Sequence, residues 1–340
     1  MTAIRARALG ATLPRPGVHT KIALVTVIAT VLALAVLSLF IGVSDVTPAS
    51  LFGAPAGDRS VQVLLLSRIP RTIAIVLAGA AMAICGLVMQ MLVRNKFVEP
   101  STIGTTEAAG LGLLVVTILA PGLSLFAKML VAAAFALAST LVFVRLLRAL
   151  PLRSVVLVPL VGLMLSGIIG AISTYIAFNY DLLQTLSVWM TGDFSGVIAG
   201  RYELLWIVAA LTAVVYIVSD RFTVAGLGEE FTTNLGLNYR RTLGVGLVVV
   251  SLVTAVVVVV VGALPFLGLV VPNVVSLMIG DNLRRALPWV AVLGSGFVLV
   301  CDIIGRVVRY PYEIPIGVVV GVVGAALFLV LLLRRSARVG

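Results

Sequence analysis

TLGVGLVVVSLVTAVVVVVVGALPFLGLVVPNVVSLMIG, residues 242–280, runs without a single charged side chain. A helix rises about 1.5 Å per residue and the hydrocarbon core of a bilayer is about 30 Å thick, so roughly 20 residues cross it once. The stretch is too long for one crossing. Pro265, which has no amide to continue a helical ladder, stands between Gly262 and Gly268 and supplies the break. The segment therefore reads as two membrane-spanning helices in succession, at about 242–263 and 266–280, the second one short. A chain that carries such a pair has lipid as its solvent.

The remaining sequence extends this reading. Of 340 residues, 61% are hydrophobic and 11% charged, with a mean hydropathy of +1.23, which is more apolar surface than a soluble domain can bury. Charges, prolines and turn residues delimit eight further apolar segments, at about 22–43, 72–93, 106–121, 127–147, 154–178, 204–219, 286–304 and 314–333. The expected fold is an all-α integral membrane protein of about ten transmembrane helices. It forms one transmembrane domain over 22–335, between tails at 1–21 and 336–340. The first segment lacks a small-residue cleavage pattern and reads as a retained span.

Lysine and arginine set the orientation. Placing the N-terminus inside gives the cytoplasmic side seventeen of them, against seven outside (Arg59, Arg68, Arg71, Lys128, Arg201, Arg306 and Arg309), so both termini are cytoplasmic. The same bias accounts for the formal charge of +11, and no basic face interleaved with aromatics points to nucleic acid. Small residues four apart mark close helix packing at Gly162, Ser166 and Gly170, at Gly317 and Gly321, and at Gly79 and Ala83.

Catalytic and metal chemistry have no footing here. Cys85 and Cys301 lie inside apolar segments and the one histidine, His19, precedes the first, so no metal-ligand set assembles. There is no glycine-rich phosphate loop and no paired-carboxylate site with a nucleophile, hence no catalytic residue and no cofactor in this chain. Energy for active transport would come from a separate nucleotide-binding subunit or from an ion gradient. A gradient-driven carrier usually leaves ionisable groups near the midplane. The candidates, Glu107 and Asp302, fall near segment ends, and Asp302 has Arg306 one turn later as an ion-pair partner.

Two polar regions stand out. Arg68 and Arg71 open the second segment and Arg306 and Arg309 follow the ninth, so outward positive charge gathers at one mouth, suited to an acidic partner. On the inner side GLGEEFTTNLGLNYRR (226–241) is a short helix-compatible run flanked by Gly228 and Gly236. It lies within a cytoplasmic loop at about 221–241.

Five blocks, in order, resemble the FecCD-type permeases: RIPRTIAIVLAGAAMAICGLVMQMLVRNKFVEPSTIG (68–104), WMTGDFSG (189–196), LGEEFTTNLG (227–236), FLGLVVPNVVSLMIGDNLRRALP (266–288) and DIIGRVVRYPYEIPIGVVVGVVGAALFLVLLLRR (302–335). The resemblance implies a ten-helix permease of the bacterial cytoplasmic membrane. Its partners would be a second permease subunit, identical or homologous, two cytoplasmic ATPase subunits that bind ATP and magnesium, and an extracytoplasmic substrate-binding protein. It assigns binding-protein docking to Arg68, Arg71 and Arg306, the cytoplasmic gate to Asn95 and Phe97, and ATPase coupling to Gly228, Glu229, Leu235 and Gly236. The cargo it implies is a ferric siderophore, with haem or cobalamin as the alternative within the class and a gradient-driven carrier as the alternative outside it. Three places along the chain depart from the commoner pattern. Lys96 and Phe97 follow Asn95 where Pro-Leu is frequent, Asn273 follows Pro272 where His is frequent, and Thr232 replaces a small Ala.

Overall fold

The structure, a computed structural model, describes residues 18–42, 59–149, 157–280 and 282–336. The expected tails at 1–21 and 336–340 fall almost wholly outside them. Ten apolar helices and two short ones make up the described chain: α1 (Val18–Phe40), α2 (Arg59–Val93), α3 (Thr105–Leu119), α4 (Leu125–Ala149), α5 (Leu157–Asn179), α6 (Leu183–Met190), α7 (Leu205–Ala225), α8 (Glu229–Asn234), α9 (Tyr239–Val261), α10 (Leu267–Ile279), α11 (Leu283–Val307) and α12 (Ile316–Ser336). Eight are long enough to cross a bilayer unaided. α3 and α10 are shorter. No strand occurs among the described residues.

α2 departs from expectation. It begins at Arg59, continues through a π-helical turn at Leu64–Arg68, and places Arg68 and Arg71 well inside the helix instead of at its opening. The polar residues Arg59, Gln62, Ser67 and Arg68 make this first part look like a loop in sequence, yet tertiary contacts hold it helical.

α2 and α9 form the centre of the bundle. Their most apolar windows are 72% and 67% buried, whereas those of α1 and α5 are 6% and 11% buried. Without a hydrophobic drive between helices in lipid, close backbone approach supplies the packing energy. Gly79 and Ala83 of α2 meet Gly294 of α11, and a Cβ added to Gly86 would lie 2.0 Å from the Gly268 carbonyl oxygen of α10. Of the other expected rows, Gly162 packs on Thr102 and Ile103, and Gly317 on Gly192, while Gly170 faces open space. Polar pins cross the apolar interior as well: Ser295 donates to the Val76 carbonyl, and Thr105, Thr140 and Ser251 link α3, α4 and α9.

α10 shows why Pro265 and Pro272 are tolerated. Phe266 starts the helix in a left-handed conformation (φ 62°) after Gly262 (φ 86°) has turned the chain out of α9. Pro272 has no amide for the carbonyl of Gly268, one turn earlier. Gln90 of α2 supplies the missing donor, its Nε2 lying 3.2 Å from that oxygen.

Candidate functional site

The loop from Arg94 to Gly104 folds back against α10. Arg94 takes a left-handed conformation (φ 54°) that ends α2, and the Asn95 amide donates to Gln90 O. Asn95 is 4% exposed, and its Oδ1 accepts from the Phe97 amide in a tight turn. Phe97 packs edge-on against Phe328 of α12, with centroids 6.1 Å apart. Both expected gate residues therefore belong to one packed loop, bearing on α10 and α12.

Three residues not singled out for the gate fix this loop. Lys96 Nζ donates to Ser276 Oγ at 2.8 Å, and Asn273 Nδ2 donates both to Lys96 O and to Leu269 O. Glu99 is 2% exposed. Its Oε1 accepts from the Phe266 amide at 2.9 Å and from Ser101 Oγ at 2.6 Å, and the carboxylate also receives backbone bonds from Gly268 and Leu269. A carboxylate here answers the orphan amides and the positive end of the α10 dipole. Burial pushes the Glu99 carboxyl up to about 7, opposed by the Ser101 hydroxyl and those backbone donors.

At the cytoplasmic surface, α8 sits between Gly228 (φ 115°) and Gly236 (φ 78°), conformations that disfavour any side chain. Thr232 is fully buried and its Oγ1 donates to Val224 O and Gly228 O, tying α8 to the end of α7, which accounts for a hydroxyl where Ala is more frequent. Leu227, Glu229, Glu230, Phe231 and Leu235 are left exposed around it. This segment also touches the end of α2. Gly226 faces Met91 Sδ at 3.4 Å from an added Cβ, and Gly228 faces Arg94 Nη1 at 3.0 Å.

At the opposite end the structure brings Arg68, Arg71 and Arg306 together but turns their charge inward. Arg71 pairs with Asp302 and Glu313, each at 2.7 Å. Arg306 pairs with Asp302 and donates to the carbonyls of Ser38 and Ile41, and Arg68 donates to Leu39 O. Arg68 and Arg306 are 8% and 6% exposed. These guanidiniums join α1, α2 and α11, with Arg71 and Arg306 both on Asp302, because a buried carboxylate draws the cations that can reach it. Arg309 lies outside this cluster, over the ring of Tyr312. Glu107, on the first turn of α3, has one carboxylate oxygen without a partner among the described residues.

Residues 27–334 match the FecCD transport family. The chain belongs to that family. This FecCD chain is 50% identical over 304 residues to the petrobactin import system permease protein YclN of Bacillus subtilis, covering 89% of this chain and 96% of that one. It is 41% identical over 320 residues to the petrobactin import system permease protein FatD of Bacillus anthracis, covering 93% of each. Its fold matches a solved metal-chelate type ABC transporter in an inward-facing conformation, with a TM-score of 0.77 at 22% identity, covering 92% of this chain and 99% of that one. As a FecCD permease with ten apolar helices among the described residues, it is a multi-pass protein of the inner membrane.

Proposed function

We propose that this chain is the membrane-spanning permease of an ATP-driven, binding-protein-dependent importer of ferric siderophores, with ferric petrobactin as the cargo to test first. The observation that carries the reading is the 50% identity, along nearly the whole of both chains, to a permease named for petrobactin import.

The geometry supports a division of labour. ATP and magnesium act in separate ATPase subunits, which dock on the exposed apolar and acidic surface of α8, with Gly228, Glu229, Leu235 and Gly236 shaping it. A shift of α8 reaches the gate through Met91 and Arg94, because Gly226 and Gly228 abut them. The gate loop with Asn95 and Phe97 then moves against α10 and α12. An extracytoplasmic binding protein docks over the outer ends of α2 and α11, where the buried cluster of Arg68, Arg71 and Arg306 forms a rigid base and Glu313 its edge. A second permease, identical or homologous, covers the exposed row Leu160, Met164, Ile168, Ile172 and Tyr175 of α5. Substrate release is coupled to the cycle because the docked binding protein favours one state of the permease pair.

The test is uptake of radioactive iron, supplied as ferric petrobactin, as a ferric hydroxamate and as haem, alongside labelled cobalamin. Cells with and without this chain are compared while its ATPase and binding-protein partners are present. The expected result is loss of ferric petrobactin uptake alone. Loss of haem or cobalamin entry with ferric chelate uptake untouched would overturn the cargo, and uptake that follows an ion gradient while ATP is depleted would overturn the importer class.

A further inference from the structure

Two cavities stack along α1, α10 and α11, and the deeper one also reaches Val323 and Leu327 of α12. The first, about 350 Å³, lies at the cytoplasmic ends of α1, α10 and α11, with Lys21, Arg284, Arg285 and Trp289 among its walls. The second, about 570 Å³, continues one to three turns deeper and is lined by Val27 and Val31 of α1, Val270 and Val274 of α10, and Phe297 and Val300 of α11. Leu24 in the upper wall and Val27 and Val31 in the lower follow one face of α1.

The chemistry of the pair is complementary to one kind of molecule. At headgroup level Lys21, Arg284 and Arg285 stand together in the wall, Arg284 also pairing with Asp220 at 2.7 Å, with the buried Trp289 behind them. At acyl-chain level the groove is almost wholly hydrocarbon. Basic pockets between transmembrane helices on the cytoplasmic side suit anionic headgroups. A zwitterionic headgroup brings its own cation toward the same charges, and a free anion leaves the apolar groove without an occupant. We propose that α1, α10 and α11 form a binding site for an anionic phospholipid of the inner leaflet, its phosphate between Lys21 and Arg285 and one acyl chain in the groove. The lipid then borders α10 on the side away from Gly86 and the gate loop.

The test is native mass spectrometry of the purified transporter, assembled with its partner subunits and loaded with equimolar phosphatidylglycerol and phosphatidylcholine of identical chains. Wild type is expected to retain phosphatidylglycerol in preference. K21Q/R285Q, which leaves the Arg284–Asp220 pair intact, is expected to lower that retention roughly 10–30-fold, the effect of two basic side chains at a membrane surface. R145Q/R148Q removes equal charge at exposed positions of the cytoplasmic end of α4 and is expected to change nothing. T30W places a bulky ring in the acyl groove from an exposed position of α1 and is expected to lower retention of both lipids. Equal retention of the two lipids by wild type would overturn the proposal, as would equal losses in the two double variants or retention unaffected by T30W. Displacement of the lipid by millimolar inorganic phosphate would assign the pocket to a free anion instead. If K21Q/R285Q fails to assemble, the wild-type comparison and T30W decide the matter.

Discussion

Removing the Glu99 carboxylate takes the N-terminal acceptor away from α10. In E99A the amide of Phe266, with those of Gly268 and Leu269, loses its partner in a site where the native side chain is 2% exposed. A hydrogen bond to a charged acceptor is worth about 1.5–3 kcal/mol and an orphaned buried amide costs about 1–3 kcal/mol. Part of that gain is already offset in the native protein, because burial raises the carboxyl to about 7. A net loss of about 2–4 kcal/mol follows for E99A, and about half of that for E99Q, which keeps one carbonyl oxygen as acceptor. In detergent this corresponds to a fall in the apparent thermal midpoint of roughly 3–6 °C for E99A, followed by tryptophan fluorescence. The pH dependence has a definite sign. A carboxyl whose folded-state value exceeds its ordinary value of 4.5 holds its proton more tightly in the folded protein. The stability of wild type relative to E99Q is therefore greatest below about pH 4.5, declines as pH rises, and levels off above about 7. An E99A midpoint equal to that of wild type, or a wild-type advantage that grows with pH over this range, would refute the reasoning.

Other substitutions probe the remaining contacts. G86V drives a side chain into the Gly268 carbonyl, so α2 and α10 must separate; a loss of about 3 kcal/mol or more is expected, with uptake abolished, and an unchanged midpoint would show that the helices do not touch there. D302N removes the carboxylate that balances Arg71 and Arg306 and is expected to cost about 3–5 kcal/mol, read as loss of folded protein on size exclusion. G228A places a side chain at φ 115° against Arg94; the assembled complex is expected to hydrolyse ATP while uptake per ATP falls several-fold, and an unchanged ratio would sever α8 from the gate. Reversing Arg71 and Glu313 together, as R71E/E313R, keeps the local charge balance, and binding-protein affinity across a salt series is expected to fall less than in R71E alone.

What was legible in the sequence tracks how strongly lipid constrains it. Thr242–Gly280 could fold in only one way, since a bilayer tolerates few alternatives to helices and Pro265 left one place to break them. Arg59 to Arg68 misled because half-buried helix with polar residues has no apolar periodicity to betray it, and the π-helical turn blurs what remains. α6 escaped notice for a similar reason, being only 8 residues long. The family resemblance drew attention to the loop of Asn95 and Phe97, but the groups that hold it went unseen, because Glu99 and Lys96 find their partners 167 and 180 positions away. A lone carboxylate in a short loop between two apolar segments was the one available signal. The outer arginines and the Asp302–Arg306 pair were legible, but the bond from Arg71 to the same carboxylate was not, since no spacing rule reports that Asp302 can serve Arg71 and Arg306 at once.

The dependence of α10 on α2 bears on how the protein is made. At 13 residues α10 falls short of a full crossing, its ladder is interrupted at Pro272, and its first amides need an external acceptor. The groups that repair both defects, Gln90 and Glu99, leave the ribosome well over a hundred residues earlier. Vectorial synthesis therefore has the mould in the membrane before the casting arrives. A circular permutant that opens the chain within the loop at Ala263 and Leu264, and so inserts α10 ahead of α2, asks a broken half-helix to enter lipid with nothing waiting to complete it.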